Sequence, residues 1–156
     1  MIHYKVTISA KKGATGYVLN DTMTEGLTFN NDVNVTVNGT ALTSPADYSV
    51  TTPGDNGATF KVTFAESYLN NLTADTSIVV TYSATLNEKA AISGDQNTNT
   101  AQLKYGNSST VEDKTTTTSF KFDLVKTDSA GKLLAGAKFK LYDAASDGSE
   151  IKLVKI

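Results

Sequence analysis

Cysteine is absent from the 156 residues. Disulfides and thiolate metal sites are therefore excluded, and an extracellular chain of this composition must find its stability elsewhere. Arginine is absent as well: all 14 cationic residues are lysines. The guanidinium fork is the usual tool for phosphate and carboxylate recognition, so its lack argues against both. The formal net charge of −2 creates no strong field that would call for nucleic acid or an anionic membrane. Tryptophan is missing and His3 is the single histidine, so no histidine-based triad or His/Cys zinc site can be assembled. No apolar run approaches the roughly 20 residues of a membrane helix, and none of these residues reads as a signal peptide or lipidation motif. Neither a cofactor, nor nucleic acid, nor membrane insertion is expected.

What is abundant is threonine, asparagine and valine, with proline rare. This favours β structure with polar turns. Period-two alternation recurs along most of the chain. Tyr4, Val6 and Ile8 share a face, as do Tyr17, Leu19 and Asp21. "VNVTVNGTALT" reads as a hairpin, with Asn38-Gly39 supplying positive φ angles. "DYSVTT", "ATFKVTF", "SIVVTYSATL" and "NTAQLKYGN" read as further strands, and "AESYLNNLTAD" has room for one helical turn. On the last of those strands Ala101, Leu103 and Tyr105 share a face that Asn97 and Asn99 continue. The fold class is all-β, an Ig-like (Cna-type) sandwich.

Composition shifts at "VEDKTTTTSF". The expected division is a β-sandwich over 1–113, a stiff extended linker over 114–118, and a second, partial β-domain over 119–156, too short to bury a good core alone. The chain opens directly in strand-like sequence, so it is expected to be a piece of a longer protein. "FKFDLVK" poses a question. Phe120, Phe122 and Leu124 form an apolar row on one strand face, and Lys126 is the next residue on it. An unpaired ammonium in a core is costly.

"LVKTDSAGKLLAGAKFKLYD", with Lys126, Asp128, Gly131, Leu134-Ala135-Gly136-Ala137 and Leu141-Tyr142-Asp143, resembles the opening of a CnaB-like domain of Gram-positive surface proteins. "YKVTI", "YVLNDTMTEGLTF", "VNVTVNGT", "VVTYSATLNEKAAI" and "NTNTAQLKYGN" resemble the fimbrial isopeptide-formation domain of sortase-assembled pilus shafts. In this order the two look like consecutive modules of a major pilin. The resemblance implies a structural subunit of an extracellular, cell wall-anchored pilus that supports adhesion. Its partners would be other pilin subunits, joined by sortase-made links outside these residues. It also implies self-made amide crosslinks, each formed once when a buried lysine attacks a buried asparagine, so that the protein is not a turnover enzyme. By the same resemblance Lys126 is the crosslinking lysine of the second domain, Asn99 (or else Asn97) the asparagine of the first, and Asp21 its proton-handling acid. The reactive lysine of the first domain lies, in the family, on a strand preceding Tyr-x-Val-Thr-Ile, so a complementing strand or chain is expected there.

Plainer readings stand beside these. Lys126 could be a strand-end lysine with its ammonium in water. Asp21 could be a turn residue or helix N-cap, and Asn97 and Asn99 could be loop residues. "DAASDGSE" lacks the spacing of a calcium loop. The rival function is a surface adhesin module that binds a host protein or glycan, which the lack of arginine and tryptophan weakens. A glycosidase would need paired inward carboxylates, and no such pair is seen.

Overall fold

A computed structural model describes residues 1–90, 97–106, 108–110, 112–119, 127–133, 135–136, 138, 140–142 and 147–151. The chain divides into two compact units, Met1–Ser119 and Phe120–Ile156.

The first unit is a sandwich of two antiparallel sheets. One sheet is built from β1 (Ile2–Ala10), β8 (Thr76–Leu86), β4 (Asn34–Val37) and β5 (Thr40–Ala41) in that order, with β3 (Leu27–Phe29) also pairing with β8. The other runs β10 (Ser108–Ser109), β9 (Asn97–Tyr105), β2 (Val18–Met23), β7 (Phe60–Phe64) and β6 (Tyr48–Thr51), with β11 (Asp113–Thr117) also on β9. A single helical turn, α1 (Glu66–Asn70), follows β7 and buries Leu69. The β4–β5 hairpin turns at Asn38 and Gly39, whose φ angles of 50° and 80° are the left-handed values that this pair tolerates.

Alternation along the strands fills the core. Tyr4, Ile8 and Ala10 from β1 meet Ile78, Val80, Tyr82 and Ala84 from β8, and across the gap lie Leu19, Phe60, Val62 and Phe64. Burying each such large side chain contributes about 1.5–3 kcal/mol. Val6 and Leu103 pack on this core half-buried. Tyr105, expected to face inward, is instead 40% exposed. It ends β9, lines an open cleft with Val6 and Ile8 of β1, and meets Tyr17 edge-on at 6.2 Å. The stretch expected as a linker over 114–118 differs too. Residues 113–117 form β11 and pair with β9 from Ala101 to Asn97. Three of the four threonines, Thr115, Thr116 and Thr117, therefore build ladder rather than span a gap, as β-branched residues at a sheet edge do.

The second unit is described only in part. β12 (Leu141–Tyr142) pairs with β13 (Glu150–Ile151), and Lys140 meets Glu150 at 2.9 Å. Thr127 bridges Leu133 around a tight turn in which Asp128 Oδ1 accepts from the backbone N–H of Ala130 and Lys132. Lys126, with Phe120, Phe122 and Leu124 before it, lies outside the described residues.

Candidate functional site

Asp21 sits on β2 between Phe60 of β7 and Ala101 of β9, and it is fully buried. Its parity with Tyr17 and Leu19 aims it into the core, where a lone carboxylate is strongly disfavoured. Two groups meet it there. Asn99, two residues before Ala101 on β9 and so on the same face, donates from Nδ2 to Asp21 Oδ2 at 2.9 Å. Tyr82 reaches across from the other sheet and donates its phenol O–H to the same oxygen. Asn99 Nδ2 also lies 2.9 Å from the Tyr82 oxygen, which closes a triangle of three buried polar groups. Asp21 Oδ1 and Asn99 Oδ1 are buried too, and neither accepts a hydrogen bond among the described residues.

The walls of this triangle are aromatic. Tyr82 stacks on Tyr4 at 5.2 Å and presents its face edgewise to Phe60 at 5.0 Å, and Phe60 stacks on Phe29 at 4.2 Å. Burial in this apolar shell pushes the Asp21 carboxyl up to about 6, against the opposing pull of hydrogen bonds from Tyr82 and Asn99. Burial, and then the Asp21 charge, raise the Tyr82 phenol well above its ordinary value. A carboxyl poised near neutrality beside a carboxamide can give a proton to the amide carbonyl and take one back. No lysine among the described residues pairs with Asp21 or Asn99. Lys5 is exposed on the outer face of β1, and Lys11 pairs with Asp75 at 2.7 Å.

Asn97 is equally buried but lies in different company. Among the described residues its Nδ2 makes long hydrogen bonds to Thr117 O at 3.4 Å and Ser119 Oγ at 3.5 Å. Its Oδ1 lies against Gly26, where an added Cβ would overlap it and stand 2.6 Å from Ala90 Cα. The structure thus brings Asp21 and Asn99 together and places Asn97 beside them, against a turn and a crossing strand. Sequence reasoning missed Tyr82. Its parity with Ile78, Val80 and Ala84 in "SIVVTYSATL" was the available signal. Among the described residues there is no cluster of three metal-ligating side chains, and no helix is long and apolar enough to cross a membrane.

Residues 1–109 match the family model of the Gram-positive pilin backbone subunit 2, Cna-B-like domain. The chain belongs to this family. Among solved structures it is similar to the pilus backbone RrgB of Streptococcus pneumoniae, with 32% identity and a TM-score of 0.55 over 67% of this chain and 24% of that one. The major pilin GBS80 of Streptococcus agalactiae, in its 35 kDa C-terminal fragment, aligns over 98% of this chain and 59% of that one, at 24% identity and a TM-score of 0.61. The major pilin SpaD of Corynebacterium diphtheriae aligns over 90% and 37%, at 23% identity and a TM-score of 0.62. The latter two likenesses speak for the fold alone. No curated protein sequence matches the chain. The chain spans about a quarter of the RrgB structure's length.

Proposed function

We propose that this chain is part of a pilus shaft subunit whose first unit closes itself with an amide between Asn99 and a lysine, Asp21 serving as the proton-handling acid. The observation that carries this reading is the buried carboxyl–carboxamide pair, Asp21 with Asn99 at 2.9 Å, in a shell of aromatic rings. Family membership supports the shaft role.

The chemistry follows from the surroundings. An apolar site favours the neutral amine over the ammonium, which frees a lone pair for attack. Neutral Asp21 polarises the Asn99 carbonyl. The lysine nitrogen forms the new C–N bond, the old C–N bond breaks, and ammonia leaves carrying the proton shed by the amine. Asp21 ends as it began, but the Asn99 carboxamide and the lysine amine are consumed, so the event is a single self-crosslinking turnover. The strands hold both partners in place, and that proximity lowers the barrier further. A lysine on or beside β1 would join one sheet of the sandwich to β9 of the other. Such a staple limits the unfolded chain as a disulfide does, an effect typically of about 2–4 kcal/mol, in a protein without cysteine.

Lys126 takes the corresponding lysine role in the second unit. The subunit is placed outside the cell in a wall-anchored pilus, joined to further pilins through sortase-made links elsewhere, where it carries adhesive function away from the surface.

The test supplies the amine. Ile2 and Tyr4 are inward positions of β1, opposite Ala84 and Tyr82. Ile2→Lys, Tyr4→Lys, and the unaltered chain mixed with a lysine-bearing strand peptide are followed by intact mass. At least one should form an amide with loss of one ammonia, mapped to Asn99. If none of the three does, the reading is wrong.

A further inference from the structure

Tyr82 stands in the site without a part in the amide transfer written above. It enters from β8, on the sheet opposite Asp21 and Asn99, and its oxygen touches both. The hydrogen-bond count of this triangle depends on one proton. With Asp21 ionised the triangle wants donors, so the Asn99 NH2 points into it and Asn99 Oδ1 is left buried without a partner. With Asp21 neutral the triangle holds two O–H donors, the carboxylic acid and the phenol, and wants an acceptor. The oxygen and nitrogen of a carboxamide are nearly equal in size. A half-turn of the Asn99 amide then puts its carbonyl oxygen at the corner 2.9 Å from both Asp21 Oδ2 and Tyr82 Oη. The turn gives the orphaned oxygen two donors and moves the NH2 to the corner that the oxygen leaves.

We propose that Tyr82 is a catalytic residue of the crosslinking reaction, the second O–H donor to the Asn99 carbonyl beside neutral Asp21; this rests on the function proposed above. As the lysine lone pair forms the C–N bond, the carbonyl π pair moves onto oxygen, and that oxyanion accepts from the phenol and the carboxylic acid. When the pair returns, the bond to the original amide nitrogen breaks and ammonia leaves with the proton lost by the amine. Tyr82 and Asp21 recover their starting states. Two donors fixed in an apolar site before charge develops make an oxyanion hole. The phenol is held in its protonated form by burial, so it remains a donor beside the neutral acid. The titratable groups facing it are Asp21 from β2 and Tyr4 from β1; β3 and β7 present Phe29 and Phe60, and β9 presents neutral Asn99.

The experiment uses whichever lysine donor crosslinks Asn99, and compares crosslinking rates across pH for the parent and its Tyr82→Phe variant. Phenylalanine keeps the ring and its packing. The expected result is a rate lower by about a hundredfold to a thousandfold. The pH profile should also move upward, because Asp21 loses an O–H that steadies its anion. The profile reports the Tyr82 bond to Asp21, whereas the rate at pH values where Asp21 is neutral in both proteins reports donation to the Asn99 carbonyl. An equal rate where Asp21 is neutral in both proteins overturns the proposal, whatever the profile does. Should Tyr82→Phe fail to fold, difluorotyrosine introduced at position 82 alone keeps shape and hydroxyl while making the phenol more acidic. The rate and profile must then change, and unchanged values overturn the proposal. Absence of any amide in the parent with every lysine donor refutes the proposed function first, and this inference with it.

Discussion

Asn97 and Asn99 leave the same face of β9, two residues apart, and both are buried. Their neighbourhoods differ in kind. Asn99 meets a carboxyl and a phenol inside an aromatic shell, so its hydrogen bonds change whenever one proton moves. Among the described residues Asn97 meets a backbone carbonyl, a serine hydroxyl and the Gly26 turn, none of which titrates at ordinary pH. A buried carboxamide becomes reactive through what it touches, and burial alone distinguishes nothing here.

The sharpest way to break this comparison is to delete each amide in turn in a crosslinking-competent background. Asn99→Ala should abolish the ammonia loss completely, whereas Asn97→Ala should retain it. Peptide mapping that finds the amide at position 97 would exchange the two roles.

The next effect is a pH dependence of stability that belongs to the Asn99 neighbourhood. Asp21 titrates near 3.8 when unfolded and about 6 when folded. The folded state holds the proton more tightly, so this stabilisation is full below pH 4 and is lost as pH rises through 6. The span corresponds to an order of roughly 3 kcal/mol. In urea titrations of the uncrosslinked chain from pH 4 to pH 8, the parent should lose stability relative to Asp21→Asn by that order. The variant, relieved of a buried charge, should be the more stable of the two at pH 8 and unable to crosslink. A constant difference across pH would show that Asp21 is not held protonated by the fold.

A smaller effect probes the other neighbourhood. Gly26→Ala places a methyl group on Asn97 Oδ1 and on the backbone at Ala90. Overpacking of this kind costs about 1–3 kcal/mol. The denaturant midpoint should fall, and the crosslinking rate per folded molecule should hold. A large fall in that rate would mean the two neighbourhoods act as one. The smallest effect is expected at Lys11 and Asp75, an exposed pair remote in character from both amides. Lys11→Ala should leave the midpoint unchanged within error, as exposed pairs usually do.

Much of this was legible before any coordinates. Parity along "YKVTISA", "YVLND" and "NTNTAQLKY" aims Tyr4, Ile8, Leu19, Asp21, Asn97 and Asn99 inward, because side chains of a strand alternate whatever the strand pairs with. The Asn38-Gly39 turn was legible for the same local reason. Tyr105 was misjudged because parity says which face a residue takes and not how closely that face is covered. The threonine run was misjudged because a sequence of β-branched residues does not say whether a partner strand lies beside it. β9 does, along Asn97 to Ala101.

The sequence by itself determined the periods, the turns and the presence of an inward acid and two inward amides, since these depend on backbone geometry within a few residues. Only the tertiary structure decided which amide meets the acid, and that Tyr82 joins them from the opposite sheet. Those contacts join residues 61 and 78 positions apart. They depend on strand register and on the distance between sheets, which no local pattern encodes.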